Sequence, residues 1–163
     1  MPRKQEPTMT KFGSHEDSVQ QWMTISINTV KRDGTVRDVL ELMKDKQITS
    51  VPVVDPQGSV IGIVTQRDLA AVVLATDQLL DSDYPHYEDC LWAVELILRR
   101  LGSDKVTAVM SENVASIDPE KTMAEAAKQM SEAGIHHLAV AKKGTLLGML
   151  SSSDFVRLVA SMG

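Results

Sequence analysis

The feature that most constrains the fold of this chain is an internal repeat. Residues 58–69 match residues 144–155 in chemical type at an offset of 86. Upstream of a turn the offset is 87, so that a helix start at Thr35 aligns with a helix start at Thr122. Self-similarity of this kind predicts two copies of one supersecondary unit. Each copy, at about 50 residues, is too small to be stable alone.

Both copies show the same order of predicted elements. Thr35 and Asp38 have the spacing of a capping box, and apolar residues at the spacing of one helix face follow them. Two short β runs separated by a turn come next, and a second helix begins at Thr65 or at Ser151. With a β run entering each copy, the unit is β–α–β–β–α. The predicted fold is therefore mixed α/β (α+β), with two units packed sheet to sheet around one shared core.

The repeat divides the chain into four segments. They are a flexible polar tail over residues 1–18, a first unit over 19–75, a helical insert over 76–105 and a second unit over 106–163. The insert contains an acidic run, for which a solvated loop is a better interpretation than a metal site. Its following helix is apolar almost all round and needs burial on more than one side. Trp92 and Leu96 are the candidates for covering the module or for a dimer contact.

Composition excludes several classes of function. Seventeen basic residues stand against 22 acidic ones, for a net charge of -5, which argues against a nucleic-acid partner. The longest apolar runs fall short of the roughly 18 residues that span a bilayer, and the N-terminus lacks a signal peptide. The single cysteine, Cys90, excludes an internal disulfide and a cysteine-based zinc site. We expect a small cytoplasmic protein with no membrane partner and no metal.

The recurring motifs resemble a tandem pair of CBS (cystathionine-β-synthase-type) domains, the Bateman module. The resemblance rests on residues 48–55, 62–68 and 148–154, and it covers roughly residues 19–75 and 106–160. It implies two motifs packed by their sheets with pseudo-twofold symmetry. It also implies two clefts at their junction that bind adenine nucleotides or related adenosyl ligands as regulators, with no required cofactor. Such modules commonly form homodimers, and the output would pass to an unknown protein effector.

Two hydroxyl–carboxylate pairs are the strongest candidates for ligand binding. Thr65 precedes Asp68 by three residues, and Ser151 precedes Asp154 by three. A carboxylate can accept hydrogen bonds from both hydroxyls of a ribose cis-diol. The same spacing is an ordinary capping box, which spacing alone favours. The resemblance implies that these four residues bind nucleotide, and both roles can coexist.

The histidine pair breaks the symmetry of the repeat. His136 and His137 stand where the first copy has Thr49 and Ser50. Neighbouring residues on a strand point to opposite faces, so we expect at most one histidine to face a given cleft. The resemblance implies that one of them donates to a phosphate oxygen. A solvated or hydrogen-bonded edge histidine is the open alternative.

The resemblance implies further contacts that differ between the clefts. Arg67 would supply charge for a phosphate, and the second copy has Ser153 there, so the clefts should differ in affinity. The remaining candidates surround the base: Val51 and Pro52 in one cleft, Leu138 and Ala139 in the other, with polar contacts from Thr29 and Ser116. The last two are, on the alternative interpretation, ordinary strand-start residues.

The sequence is compatible with three functions. The first is a regulatory module that senses adenosine nucleotides (AMP, ADP, ATP or a related adenosyl ligand) and signals by conformational or oligomeric change. The second is a structural dimerisation module with vestigial clefts. The third is a small enzyme that uses His136 or His137 as a base. The sequence contains no nucleophile elbow, P-loop, HExxH motif or dinucleotide fingerprint, so we predict that the protein is not an enzyme.

Overall fold

The computed structural model describes residues 13–80, 102 and 104–163. The first unit contains β1 (Val30–Lys31), α1 (Val36–Lys46), β2 (Ser50–Val54), β3 (Val60–Thr65) and α2 (Gln66–Leu80). The second contains β4 (Ser116–Ile117), α3 (Met123–Ala133), β5 (His137–Lys142), β6 (Thr145–Ser151) and α4 (Ser152–Ser161). The predicted β–α–β–β–α order is confirmed in both. Trp92, Leu96 and the acidic run of the insert lie outside the described residues.

The two sheets have the same topology. In each, the first strand pairs parallel with the second, and the second pairs antiparallel with the third. The register shifts at corresponding places, after Val53 in β2 and after Val140 in β5. A shared irregularity at the same register position shows that the repeat is structural as well as sequential. The mixed α+β fold class is thereby confirmed.

The first helix of each unit begins as predicted. In α1, the Asp38 carboxylate accepts from the Thr35 N–H at 2.7 Å, and the Thr35 hydroxyl accepts from the Asp38 N–H. The Thr35 N–H and the Thr35 hydroxyl both donate to the Asp38 carboxylate, and these two hydrogen bonds lower the pKa of Asp38. Thr122 and Glu125 form the same box at the start of α3. The boxes satisfy backbone groups that a helix start leaves unpaired.

Among residues 13–80, 102 and 104–163, the buried apolar side chains form two hydrophobic clusters, one for each sheet, so the expectation of one shared core is wrong. Each sheet packs its apolar face against its own helices, and an exchanged segment completes each cluster. Val19, which precedes β1 of the first unit, is fully buried in the cluster of the second unit with Leu138. Val106, which precedes β4 of the second unit, is fully buried in the cluster of the first unit with Val53. The units therefore depend on each other through swapped segments.

The N-terminal segment is also part of this exchange. The Met123 N–H donates to the Asp17 carbonyl at 2.8 Å, and the Ala124 N–H donates to the His15 carbonyl at 3.0 Å. Both donors lie in the first turn of α3, where helix geometry leaves them without an intrahelical partner. Residues 15 and 17, within the segment for which the sequence predicts a flexible tail, are therefore hydrogen-bonded to the second unit.

A glycine in β3 allows a close contact with residues 110 and 111 of the second unit. A Cβ at Gly62 would lie 2.5 Å from the Met110 sulfur and 3.2 Å from the Ser111 carbonyl oxygen. We expect Gly62→Ala to lower the free energy of unfolding by about 1–3 kcal/mol through overpacking. Urea denaturation measures the change. In a Met110→Ala background the loss should be smaller, and strict additivity of the two substitutions would contradict this explanation.

Candidate ligand-binding clefts

Two cavities lie where the units meet, and the repeat relates them. The Asp68 cavity, of about 460 Å³, is formed by residues 65–68, 113–115 and 134–137 with Thr49, Ile63 and Ser111. The Asp154 cavity, of about 400 Å³, is formed by residues 24, 26–28, 47–50, 52, 136–137, 149 and 151–154. Each cavity thus combines the start of one unit's last helix with a loop of the other unit. Isolated bridges, Ile63 with Ser111 and Thr24 with Met149, hold these loops in place.

One oxygen of the Asp68 carboxylate belongs to the helix cap, and the other oxygen contacts the second unit. Its Oδ2 accepts from the Thr65 N–H and from the Thr65 hydroxyl, both at 2.7 Å. Its Oδ1 accepts from the Ser111 hydroxyl at 3.0 Å. Capping therefore uses only Oδ2 and leaves Oδ1 with a neutral, exposed partner at the cavity wall.

The Asp154 carboxylate has the same cap but a different second partner. Its Oδ2 accepts from the Ser151 N–H at 2.7 Å and from the Ser151 hydroxyl at 3.2 Å. Its Oδ1 accepts from the Arg157 guanidinium, which also donates to the Trp22 carbonyl at 3.0 Å. Asp154 is only 4% exposed. The two cavities therefore share a plan and differ at the carboxylate.

The two histidines stand between the cavities. His137 Nε2 lies 3.0 Å from the Thr49 hydroxyl, and His136 Nδ1 lies 3.3 Å from the Ser152 hydroxyl. Both residues line both cavities, so the expectation that at most one faces a given cleft is wrong. His136 precedes β5, and strand alternation therefore does not govern the pair. Burial, with a smaller contribution from His136, lowers the pKa of His137, and Asp154 opposes this shift.

The lowered pKa of His137 predicts a pH dependence of stability. A base with a lower pKa in the folded state binds fewer protons there than when unfolded. The free energy of unfolding should be insensitive to this histidine above about pH 6.5 and should fall as the pH drops below that value. His137→Ser, which installs the residue found at position 50, should flatten the dependence below about pH 6.5. Urea denaturation at several pH values tests this, and equal slopes for both proteins would contradict it.

The other sequence candidates fall into two groups. Arg67 lines the Asp68 cavity, and Ser153 and Pro52 line the Asp154 cavity. The rest lie elsewhere: Val51 and Leu138 are fully buried in the two clusters, Ala139 is 2% exposed, and Thr29 and Ser116 sit just past the loops that form the walls. Strand alternation turns Val51 and Leu138 into the cores.

Sequence reasoning missed the polar residues of the walls. Ser26 and Asn28 line the Asp154 cavity, and Ser111 and Asn113 line the Asp68 cavity. The signal that could have found them is the repeat itself, since the offset of 87 aligns residues 24–28 with residues 111–115. What the repeat does not show is that each loop crosses to the opposite unit.

Neither a metal-binding cluster nor a membrane-spanning helix occurs among the described residues. Residues 13–80, 102 and 104–163 contain no group of three or more His, Cys, Asp or Glu side chains arranged to hold a metal ion. Within the same part of the chain, every helix is too short or too polar to cross a membrane.

Known proteins share this architecture. The family model described as CBS domain matches residues 19–75 and 106–161. A CBS domain-containing protein of Dictyostelium discoideum is 34% identical over 142 residues, which cover 86% of this chain and 90% of that protein. The crystal structure of the AcuB protein of Vibrio cholerae, 29% identical, superposes with a TM-score of 0.69 over 90% of this chain and 94% of its own. The structure of CBSX2 in complex with AMP, 24% identical, covers 89% of this chain and 97% of its own with a TM-score of 0.68, and it shows the shared fold.

Proposed function

The chain belongs to the CBS domain family as a tandem pair, and from this premise we propose that it binds an adenine nucleotide between its two units as a regulatory signal. CBS domain pairs are regulatory modules. The observation that carries the proposal is the Asp68 carboxylate, whose Oδ1 stands beside a cavity that also contains a cation, Arg67. That combination suits a ligand with a diol at one end and a phosphate at the other.

The ribose contact is the most specific part of the proposal. The Ser111 hydroxyl rotates away from Asp68, and the two ribose hydroxyls donate to the carboxylate in its place. The adenine base lies against Ile63 and Ile135, which supply apolar surface in this cavity. Charge-assisted hydrogen bonds fix the position of the sugar. Burial of the base adds affinity and does not require a particular orientation.

The phosphate contact favours a ligand with few phosphates. The start of α2 presents backbone N–H groups and the positive end of a helix dipole. Arg67 and the two histidines are the basic side chains on the cavity wall. With a net charge of -5 the chain does not attract anions at long range, so the charge that can be neutralised is set locally. We therefore take AMP as the first probe.

The signal follows from what the ligand touches. A nucleotide in the Asp68 cavity contacts α2 of the first unit and residues 111–115 of the second. It shifts the arrangement of the two units only as far as it binds one arrangement better than another. We propose that the protein acts as a homodimer in the cytoplasm and that a protein effector reads this arrangement.

Thermal unfolding with a panel of AMP, ADP, ATP and S-adenosylmethionine tests the proposal. A ligand at 100 times its Kd adds about 2.7 kcal/mol to the free energy of unfolding, so AMP should raise the Tm by several degrees. Chromatography should recover the nucleotide unchanged. A module with vestigial clefts predicts no shift with any of the four, and an enzyme predicts conversion of the nucleotide.

A further inference from the structure

We infer that the two cavities are unequal: the Asp68 cavity takes the nucleotide, and Arg157 keeps the Asp154 cavity from accepting a ribose diol. This inference rests on the proposed function and deepens it. It names the site that is occupied first and a residue outside the repeat pattern that decides it.

The first observation concerns the hydrogen-bond partners of the Asp154 carboxylate. Both of its oxygens are engaged, Oδ2 by Ser151 and Oδ1 by the Arg157 guanidinium. A ribose that approached Oδ1 would have to displace the guanidinium, a charged donor, and would offer only neutral hydroxyl donors in its place. The 4% exposure of Asp154 leaves little of the carboxylate for a ligand to reach while Arg157 stays in place.

The first copy of the repeat has no cation at the position that corresponds to Arg157. The offset of 86 aligns Arg157 with Ala71, which has no side chain that could reach a carboxylate. Asp68 Oδ1 pairs instead with the hydroxyl of Ser111, an exposed neutral group. Ribose hydroxyls that replace the Ser111 hydroxyl exchange one neutral donor to the carboxylate for another. Entry of a diol therefore costs less in the Asp68 cavity.

Arg157 also holds in place the loop that lines the Asp154 cavity. Its guanidinium donates to the Trp22 carbonyl at 3.0 Å, two residues before Thr24 in the loop that lines the Asp154 cavity. One side chain therefore ties α4 to the exchanged N-terminal segment. Releasing Asp154 for a ligand would release this tie as well.

The two cavities also differ in the positive charge that they offer to a phosphate. His136 and His137 line both cavities and so do not distinguish them. Arg67 lines the Asp68 cavity, and its counterpart in the Asp154 cavity is the neutral Ser153. The same cavity thus offers both the more accessible carboxylate and the additional cation.

Calorimetric titration of the full chain with AMP tests the inference. The wild type should show one strong site per chain. Arg157→Ala removes from Asp154 the cation that Asp68 lacks, and it should strengthen binding at a second site at least tenfold. Adding Asp154→Asn should remove this gain. Ala71→Arg, an exposed position that does not contribute to either core, should weaken the strong site.

The outcomes separate the inference from the proposed function. Two equal sites in the wild type, or an Arg157→Ala protein with unchanged site number and affinities, would overturn the inference and leave nucleotide binding intact. No heat with AMP in any variant would overturn the proposed function and the inference with it. Circular dichroism checks that each variant is folded, and because Ala71→Arg adds the guanidinium at the opposite cavity, its result stands even where Arg157→Ala does not fold.

Discussion

Asp68→Asn should weaken AMP binding by about 100-fold and leave the protein folded. Hydrogen bonds to a charged group contribute about 1.5–3 kcal/mol each, and two ribose hydroxyls lose a charged acceptor in this variant. The combined loss of about 3 kcal/mol corresponds to about two orders of magnitude in Kd. Calorimetry with AMP measures it directly.

Asparagine is the informative replacement because it separates the two roles of the carboxylate. Its amide oxygen can take the place of Oδ2 and accept from the Thr65 N–H and hydroxyl, which preserves the cap. Its amide nitrogen then replaces Oδ1 and can only donate. The helix start is retained while the acceptor for the ribose is lost.

The matched control is Asp38→Asn. Asp38 forms the same box with Thr35 at the start of α1, and it is not among the residues that line the two cavities. This control should change stability as much as Asp68→Asn does and should bind AMP like the wild type. An equal loss of binding in both variants would show that capping, and not the ribose contact, explains the effect.

The second large effect is expected at Val106, where the exchanged segment enters the first core. Val106→Asp places an unpaired carboxylate among fully buried apolar side chains and should lower the free energy of unfolding by about 3–5 kcal/mol. Val106→Ala should cost about 1.5–3 kcal/mol by comparison. Thr107→Asp, at the adjacent exposed position, is the control and should change little.

The location of the damage tests the exchange more sharply than its size. Val106 belongs to the second unit in sequence, just before β4, but packs in the cluster of the first unit. Hydrogen exchange in Val106→Ala should therefore speed up in α1, β2 and β3. Faster exchange confined to β4, β5 and β6 would contradict the assignment of Val106 to the first core.

Local features of this fold were predictable because their signals are local. The boxes at Thr35 and Thr122 depend on residues three apart, and the strands depend on apolar runs between turns. The exchange of Val19 and Val106 was not predictable, because a buried valine has the same sequence signal whichever sheet it packs on. The expectation of one shared core failed for that reason.

The residues of the candidate site were likewise predictable only in part. Asp68 and Asp154 could be found from the repeat and the family resemblance, since the spacing of hydroxyl and carboxylate is retained in both copies. Val51 and Leu138 were misplaced because the resemblance gave the strand and not the face of the strand. The role of Arg157 was not visible in sequence, because it depends on a guanidinium that turns back one helical turn to Asp154.

A crystal structure of the protein grown with AMP tests most directly whether a nucleotide binds between the two units with its ribose on Asp68. We expect ribose hydroxyls within hydrogen-bonding distance of Asp68 Oδ1 and the phosphate beside Arg67 and the histidine pair. AMP bound with its ribose away from Asp68, or an Asp68 cavity still empty at saturating AMP, would contradict it.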